Sequence, residues 1–179
     1  MTSLTDTPDI VTITGTVFTF LDPKPKLIKI EDIAHALAHT CRFSGHTKKF
    51  YSVADHSLRV SKLCYQLGGR QLAYVGLLHD ATEAYLTDMP SPIKRYLPDY
   101  QKLEANLWRA IATRFGLPET LPDEVHYADK VLLVTEGRDL CAGNWYRDWS
   151  VLPLDDVIRP LSPHEARLEF LNTFDLYKQ

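Results

Sequence analysis

The chain opens on an alternating pattern and then turns helical. Residues 10–20, IVTITGTVFTF, alternate apolar and polar positions and are rich in Val, Ile, Thr and Phe, which predicts one or two short strands around Gly15. Two prolines in DPKPK (22–26) break this segment, and a helical period follows. Asp32 is placed to cap a short helix over IAHALAHTC, and RFSGHTKK (42–49) reads as loop. Asp55 is the expected cap of a helix from His56 to about Leu67, with His56, Val60, Leu63, Cys64 and Leu67 on one face. Gly68-Gly69 ends it. A second helix is expected from about Gln71 to Leu86, with Leu72, Val75, Gly76, His79 and Glu83 in one stripe. Pro90 and Pro92 close this region. An amphipathic helix over Asp99–Phe115 carries Leu103, Leu107, Ala110, Ile111 and Arg114 in step and stops at Gly116. Pro122 starts a helix bearing Val125, Asp129, Leu132, Leu133 and Glu136, and a last helix is expected over Pro163–Tyr177. The pattern predicts an all-α domain of five or six helices spanning 1–179, its core at about 30–145, with a minor N-terminal strand element.

Length and composition agree with one globular unit. The 179 residues are 45% hydrophobic and 24% charged, with a net charge of −3. That charge excludes a strongly basic nucleic-acid coat and an acidic disordered tail. No apolar run approaches the ~18 residues a membrane helix needs, and MTSLTDTPDI lacks the basic and apolar regions of a secretory signal. Cys41, Cys64 and Cys141 are widely spaced and form no C-x-x-C, so a disulfide framework is not expected and a cytoplasmic location is.

The chemistry concentrates on inward-facing polar groups. His79-Asp80 follows the apolar run LAYVGLL, where an ionisable pair needs a partner or a metal ion. Glu83 lies four residues on, one turn along the same face. His56 and Asp129 sit on the apolar faces of two other helices. A lone histidine on such a face is ordinarily a hydrogen-bonded core residue, and a lone aspartate a cap or ion-pair partner. Four such groups on three helices suit Mn, Fe, Co, Ni or Zn, with positions open to water and substrate. No G-x-x-x-x-G-K-[ST], H-E-x-x-H or G-x-S-x-G sequence is present, which argues against P-loop, zinc-protease and serine-hydrolase chemistry.

The order of His56, His79-Asp80 and Asp129 resembles the HD-domain metal-dependent phosphohydrolases. YSVADHS (51–57), LLHDATEAYLTDMPSPIKR (77–95), ADKVLLVTEGRDL (128–140) and DIAHALAHTCRFSGHT (32–47) resemble the nucleotidase branch, which includes bacterial 5′-deoxynucleotidases and phage deoxynucleoside triphosphohydrolases. The resemblance spans about residues 20–140. No Gly-Tyr-Pro follows the metal motif, unlike the cyclic-dinucleotide phosphodiesterases of that superfamily.

The resemblance implies that His56, His79, Asp80 and Asp129 bind one divalent ion (Co, Mn, Zn, Fe, Ni or Mg). It implies that Glu83 moves a proton as general acid or base, and that Asp88 is a second acidic site residue. Arg42 precedes Phe43, 14 residues before His56, at the position where those enzymes carry an Arg–aromatic pair, commonly with Trp. Arg42 would grip phosphate and Phe43 would favour deoxyribose. His46 and Lys94 would be further phosphate contacts. His35, His39, His126 and His164 match no ligand position. The expected activity is hydrolysis of a deoxynucleoside triphosphate, preferring dATP, to deoxynucleoside and tripolyphosphate. The cations of residues 23–50, six against Glu31 and Asp32, lean that way. The alternatives are a 5′-deoxynucleotidase acting on monophosphates, a nucleotide sensor without turnover, and a protein whose polar core is merely satisfied. The expected partner is a small-molecule deoxynucleotide, with no nucleic acid and no membrane, and the expected assembly a homo-oligomer, dimer or hexamer.

Overall fold

The computed structural model describes residues 9–178. Strands β1 (Asp9–Val11) and β2 (Val17–Thr19) pair antiparallel, with Ile10 opposite Phe18, and Gly15 turns between them at φ 77°. Phe18 carries the hairpin into the core and stacks on Tyr85, with ring centroids 4.2 Å apart. Helices α1 (Ile30–His39), α2 (Val53–Leu78), α3 (Glu83–Leu86), α4 (Ser91–Lys94), α5 (Pro98–Phe115), α6 (Asp123–Asp139) and α7 (Pro163–Tyr177) follow, with short 3-10 turns at Pro25–Leu27, Arg42–Gly45 and Trp145–Asp148. This is the all-α class the pattern predicts, with a minor hairpin. Ile33, Leu37, Val60, Leu77, Leu78, Leu132 and Phe170 belong to one buried apolar cluster beneath these helices.

Asp32 does not cap α1. The helix starts earlier, at Ile30, and Asp32 lies in its first turn. Its carboxylate accepts from the Thr14 N–H and hydroxyl, both at 3.0 Å, and so ties the hairpin to α1. Asp55 is likewise not the cap of α2. Ser52 is, accepting the Asp55 N–H at 3.1 Å. Asp55 is buried and receives Arg59 Nε and the Leu161 N–H, each at 2.8 Å, which fixes the approach to α7. Helix α7 begins as expected at Pro163, behind a Ser162–Glu165 capping box.

Helix α2 is two arms joined at Gly68-Gly69. Gly69 holds φ 75°, ψ −161°, a conformation essentially reserved for glycine. In a straight helix, His56 and His79 would stand roughly 35 Å apart. Their ring centroids are 5.3 Å apart. The chain therefore doubles back at the glycines, and Leu67, beside the bend, is 45% exposed rather than part of the buried stripe. The arms pack closely. Ser61 donates its hydroxyl to the Ala73 carbonyl at 2.7 Å, and a Cβ at Gly76 would come within 2.7 Å of Cys64 Sγ.

The second arm stops earlier than the pattern predicts. It ends at Leu78, and residues 79–82 form turns before α3, so His79-Asp80 occupies a helix end rather than a helix interior. Gly116 ends α5 at φ 67°, as expected. Among the described residues, Cys41, Cys64 and Cys141 are free thiols, and no helix is long and apolar enough to cross a membrane.

No atom lies within 4 Å of where a Gly69 Cβ would stand, so Gly69→Ala tests backbone strain without a clash. It should cost about 1–3 kcal/mol, a fall of several degrees in Tm by thermal unfolding. An unchanged Tm would contradict the strained reversal.

Candidate metal centre

The reversal of α2 brings two imidazoles together, tilted by 52° to one another, and α6 supplies the Asp129 and Glu136 carboxylates beside His56. His56 Nδ1 lies 2.6 Å from Glu136 Oε1, and His79 Nδ1 lies 2.8 Å from the Gly76 carbonyl. Each ring is thereby anchored through Nδ1 and turns Nε2 inward. Asp129 Oδ1 is 3.1 Å from His56 Nε2, while Asp80 Oδ2 is 3.1 Å from His79 Nε2 and 3.6 Å from His56 Nε2. His56, His79 and Asp129 each offer a ligand atom, all within 4.8 Å of one another.

Both Nε2 atoms are buried, and neither makes a well-directed hydrogen bond to the carboxylate 3.1 Å from it. Polar atoms so placed ordinarily find one. Two such imidazole nitrogens facing carboxylates match the donor types that suit a divalent cation. The Nδ1 anchoring to a carboxylate and a backbone carbonyl is the outer arrangement that orients metal-binding histidines. The residues fit a cation, and the His–His–Asp cluster could hold one.

Charge points the same way. Asp80, Glu83, Asp88, Asp129 and Glu136 all act electrostatically on one guanidinium, Arg42, or on one another. Burial would raise the Asp80 carboxyl, but His79, His56 and Arg42 hold it far below the usual carboxylate range. Burial and Arg42 disfavour charge on His56. The Glu136 and Asp129 carboxylates override them and lift its pKa to about 9. A cation at Nε2 would take the place of that proton. Glu83 goes the other way. Burial, then the Asp80 and Asp88 carboxylates, push its carboxyl well above the usual range, which favours its protonated form. Asp88 is raised as well, chiefly by burial.

The remaining expected site residues divide. Arg42 is buried, with NH1 3.5 Å from Asp80 Oδ2 and NH2 3.2 Å from Glu136 Oε2. Its Nε has no partner. Arg42, Phe43, His46 and Asp88 line a cavity of about 970 Å³ beside the centre. Lys94 does not line it. Its Nζ is 2.6 Å from Glu104 Oε1, although its charge still reaches Glu83 and Asp88.

Glu136 is the residue that sequence reasoning passed over. It is fully buried, faces His56, accepts the Tyr51 hydroxyl at 2.9 Å and pairs with Arg42. Burial opposes its charge, but Arg42, His56 and Tyr51 keep its pKa below normal. The signal was present: Glu136 follows Asp129 by seven residues, two turns along the same helical stripe.

No family model matches the chain. It is 41% identical over 152 residues to the uncharacterized protein YfdR of Escherichia coli, covering 83% of each chain. It is also 41% identical over 132 residues to an uncharacterized protein of Rhodobacter capsulatus, covering 70% of this chain and 67% of the other. The chain belongs to the family of YfdR. More distantly, it is 27% identical over 161 residues to a 5′-deoxynucleotidase of Photobacterium profundum, covering 69% of this chain and 79% of that enzyme.

Mn²⁺ or Co²⁺ at a hundredfold excess over Kd should stabilise the protein by about 2.7 kcal/mol, read as a rise in Tm. His79→Ala and Asp129→Ala should lose that rise. Glu136→Gln should lower the Tm of the metal-free protein and weaken metal affinity about 10–100-fold. A metal-induced rise that survives His79→Ala and Asp129→Ala intact would remove these residues from the centre.

Proposed function

We propose that this protein is a metal-dependent phosphohydrolase of the HD type that acts as a 5′-deoxynucleotidase, releasing phosphate from deoxynucleoside monophosphates. The observation that carries the reading is the pair of buried Nε2 atoms of His56 and His79, neither in a well-directed hydrogen bond, facing Asp80 and Asp129. The likeness to the Photobacterium profundum 5′-deoxynucleotidase supports the substrate class, and it favours the monophosphate over the triphosphate first expected. The cations support it too. Lys24 pairs with Asp22, Lys29 donates to Thr14, Lys94 pairs with Glu104, and Lys48 reaches the Asp139 carbonyl. The cavity is lined by two guanidiniums, Arg42 and Arg95, and the charge of Arg42 is already shared with Asp80 and Glu136. That suits one phosphate better than three.

In this reading His56, His79, Asp80 and Asp129 hold the ion. When bound, it polarises a phosphoryl oxygen and makes water a stronger nucleophile near neutral pH. Arg42, on the cavity wall, orients the phosphate with its guanidinium and braces Asp80. Water oxygen forms the new bond to phosphorus, and the bond from phosphorus to the sugar O5′ breaks. Glu83, whose surroundings favour its protonated form, donates a proton to that leaving oxygen and is restored by the proton the attacking water gives up. Asp88, on the cavity wall, is placed to hold the sugar hydroxyl or a water. Phe43 crowds the sugar and favours its deoxy form.

Each dNMP, each dNTP and the matching ribonucleotides should be incubated with the purified protein and Mn²⁺ or Co²⁺, and the products separated. Deoxynucleoside and orthophosphate from dNMPs are expected. Tripolyphosphate from dNTPs would replace this reading with the triphosphohydrolase. Glu83→Gln should lower kcat by about 10²–10⁴ while keeping the metal-induced rise in Tm. Full turnover in Glu83→Gln would take the proton from another group.

A further inference from the structure

We propose that the apolar flank of the cavity, built by Trp145 and Trp149, is the subsite for the nucleobase, and that Gly137 on α6 is the residue that seats it. This deepens the nucleotidase reading and rests on it.

The cavity is larger than a phosphate needs. Its 970 Å³ lies at the upper end of the ~300–1,000 Å³ usual for small-molecule sites. Its lining changes character across its width. Arg42, His46 and Asp88 are polar, and Arg42 lies against Asp80 of the metal centre, whereas Phe43, Leu133, Trp145 and Trp149 present apolar surface. A chain of phosphates gains nothing from indole faces. A flat heterocycle joined to one phosphate engages both ends.

The aromatic flank is built rather than incidental. A Cβ at Gly137 would stand 2.8 Å from Trp145 Cζ2 and 2.9 Å from Cη2. Glycine inside a helix weakens it, and here its bare backbone lets the indole lie against α6. Phe43 stands 6.2 Å from Trp145, centroid to centroid. Phe43 and the next residue, Ser44, hold φ 53° and 50°, left-handed values that side chains other than glycine adopt at a cost. Strain of this kind gathers at ligand clamps. Trp149 is 40% exposed, with Lys130 Nζ 5.7 Å from its ring centroid. Two indoles four residues apart, both lining the cavity, offer stacking surface that every base can use. The subsite should therefore accept all four bases and favour the larger purines.

The test separates base from phosphate. Trp145 and Trp149 are two of the three tryptophans. The third, Trp108 on α5, donates its indole N–H to the Glu119 carbonyl and is replaced by Phe to leave the cavity indoles as the tryptophan fluorophores. dAMP and deoxyadenosine should quench this fluorescence saturably, and 2-deoxyribose 5-phosphate should not. Trp149→Ala, at an exposed position, and Gly137→Ala should each raise the KM for dAMP at least about 5-fold. Both should leave hydrolysis of 2-deoxyribose 5-phosphate unchanged, a split that a merely structural defect would not give. Unaltered KM for dAMP in both variants, or no saturable quenching by either base-bearing compound, would overturn the subsite while leaving the nucleotidase standing. Saturable quenching with no hydrolysis of any nucleotide would overturn the nucleotidase and leave the base subsite supported.

Discussion

A carboxylate with no access to water sets the terms for the centre. Glu136 is fully buried, and a lone charge there would be costly. It persists because three donors converge on it: His56 Nδ1, the Tyr51 hydroxyl and Arg42. Each of those contacts also does something for the site. The first turns His56 Nε2 toward His79 and Asp129. The second ties the residue before the Ser52 cap to α6. The third leaves Arg42 bridging Glu136 and Asp80, so that the guanidinium belongs at once to the core and to the cavity. Removing the carboxylate would strand a buried cation and free an imidazole, so the polar network stands or falls as a unit.

The backbone that makes this convergence possible is equally specific. The two imidazoles come from opposite ends of one 26-residue helical segment and meet only because Gly69 reverses the chain. Gly76 then lets the two arms close against Cys64. Small residues thus place the polar ones. The same economy recurs on α6, where Gly137 receives Trp145 immediately after Glu136. One face of that helix orients the imidazole, while the adjoining residue shapes the apolar side of the cavity.

Much of the fold was legible because its signals are local. The Gly68-Gly69 break, the Gly116 stop and the Pro163 start are backbone constraints that the residue types dictate on their own. Caps were harder. Asp32 and Asp55 look like caps, yet both were drawn into tertiary bonds with Thr14, Arg59 and Leu161. The turn at 79–82 was hidden because LAYVGLLHDATEAYL keeps a helical period across it. In the site, His56, His79, Asp80 and Asp129 stood out as polar groups on apolar faces. Glu136 occupied the same stripe, but its role depends on Tyr51, His56 and Arg42, which lie 80 or more residues away in sequence. Trp145 and Trp149 carried no periodic signal at all, and only the cavity shows what they line.

Helices α2 and α6 bring two Nε2 atoms and flanking carboxylates together, an arrangement that would suit one divalent ion. X-ray absorption of the Co²⁺-loaded protein measures this most directly, because it counts the ligands and separates imidazole from carboxylate. The account predicts one Co²⁺ per chain with two imidazole nitrogens in its shell, falling to one in His56→Ala or His79→Ala. A bound Co²⁺ with an all-oxygen shell, or a shell unchanged in both variants, would contradict it.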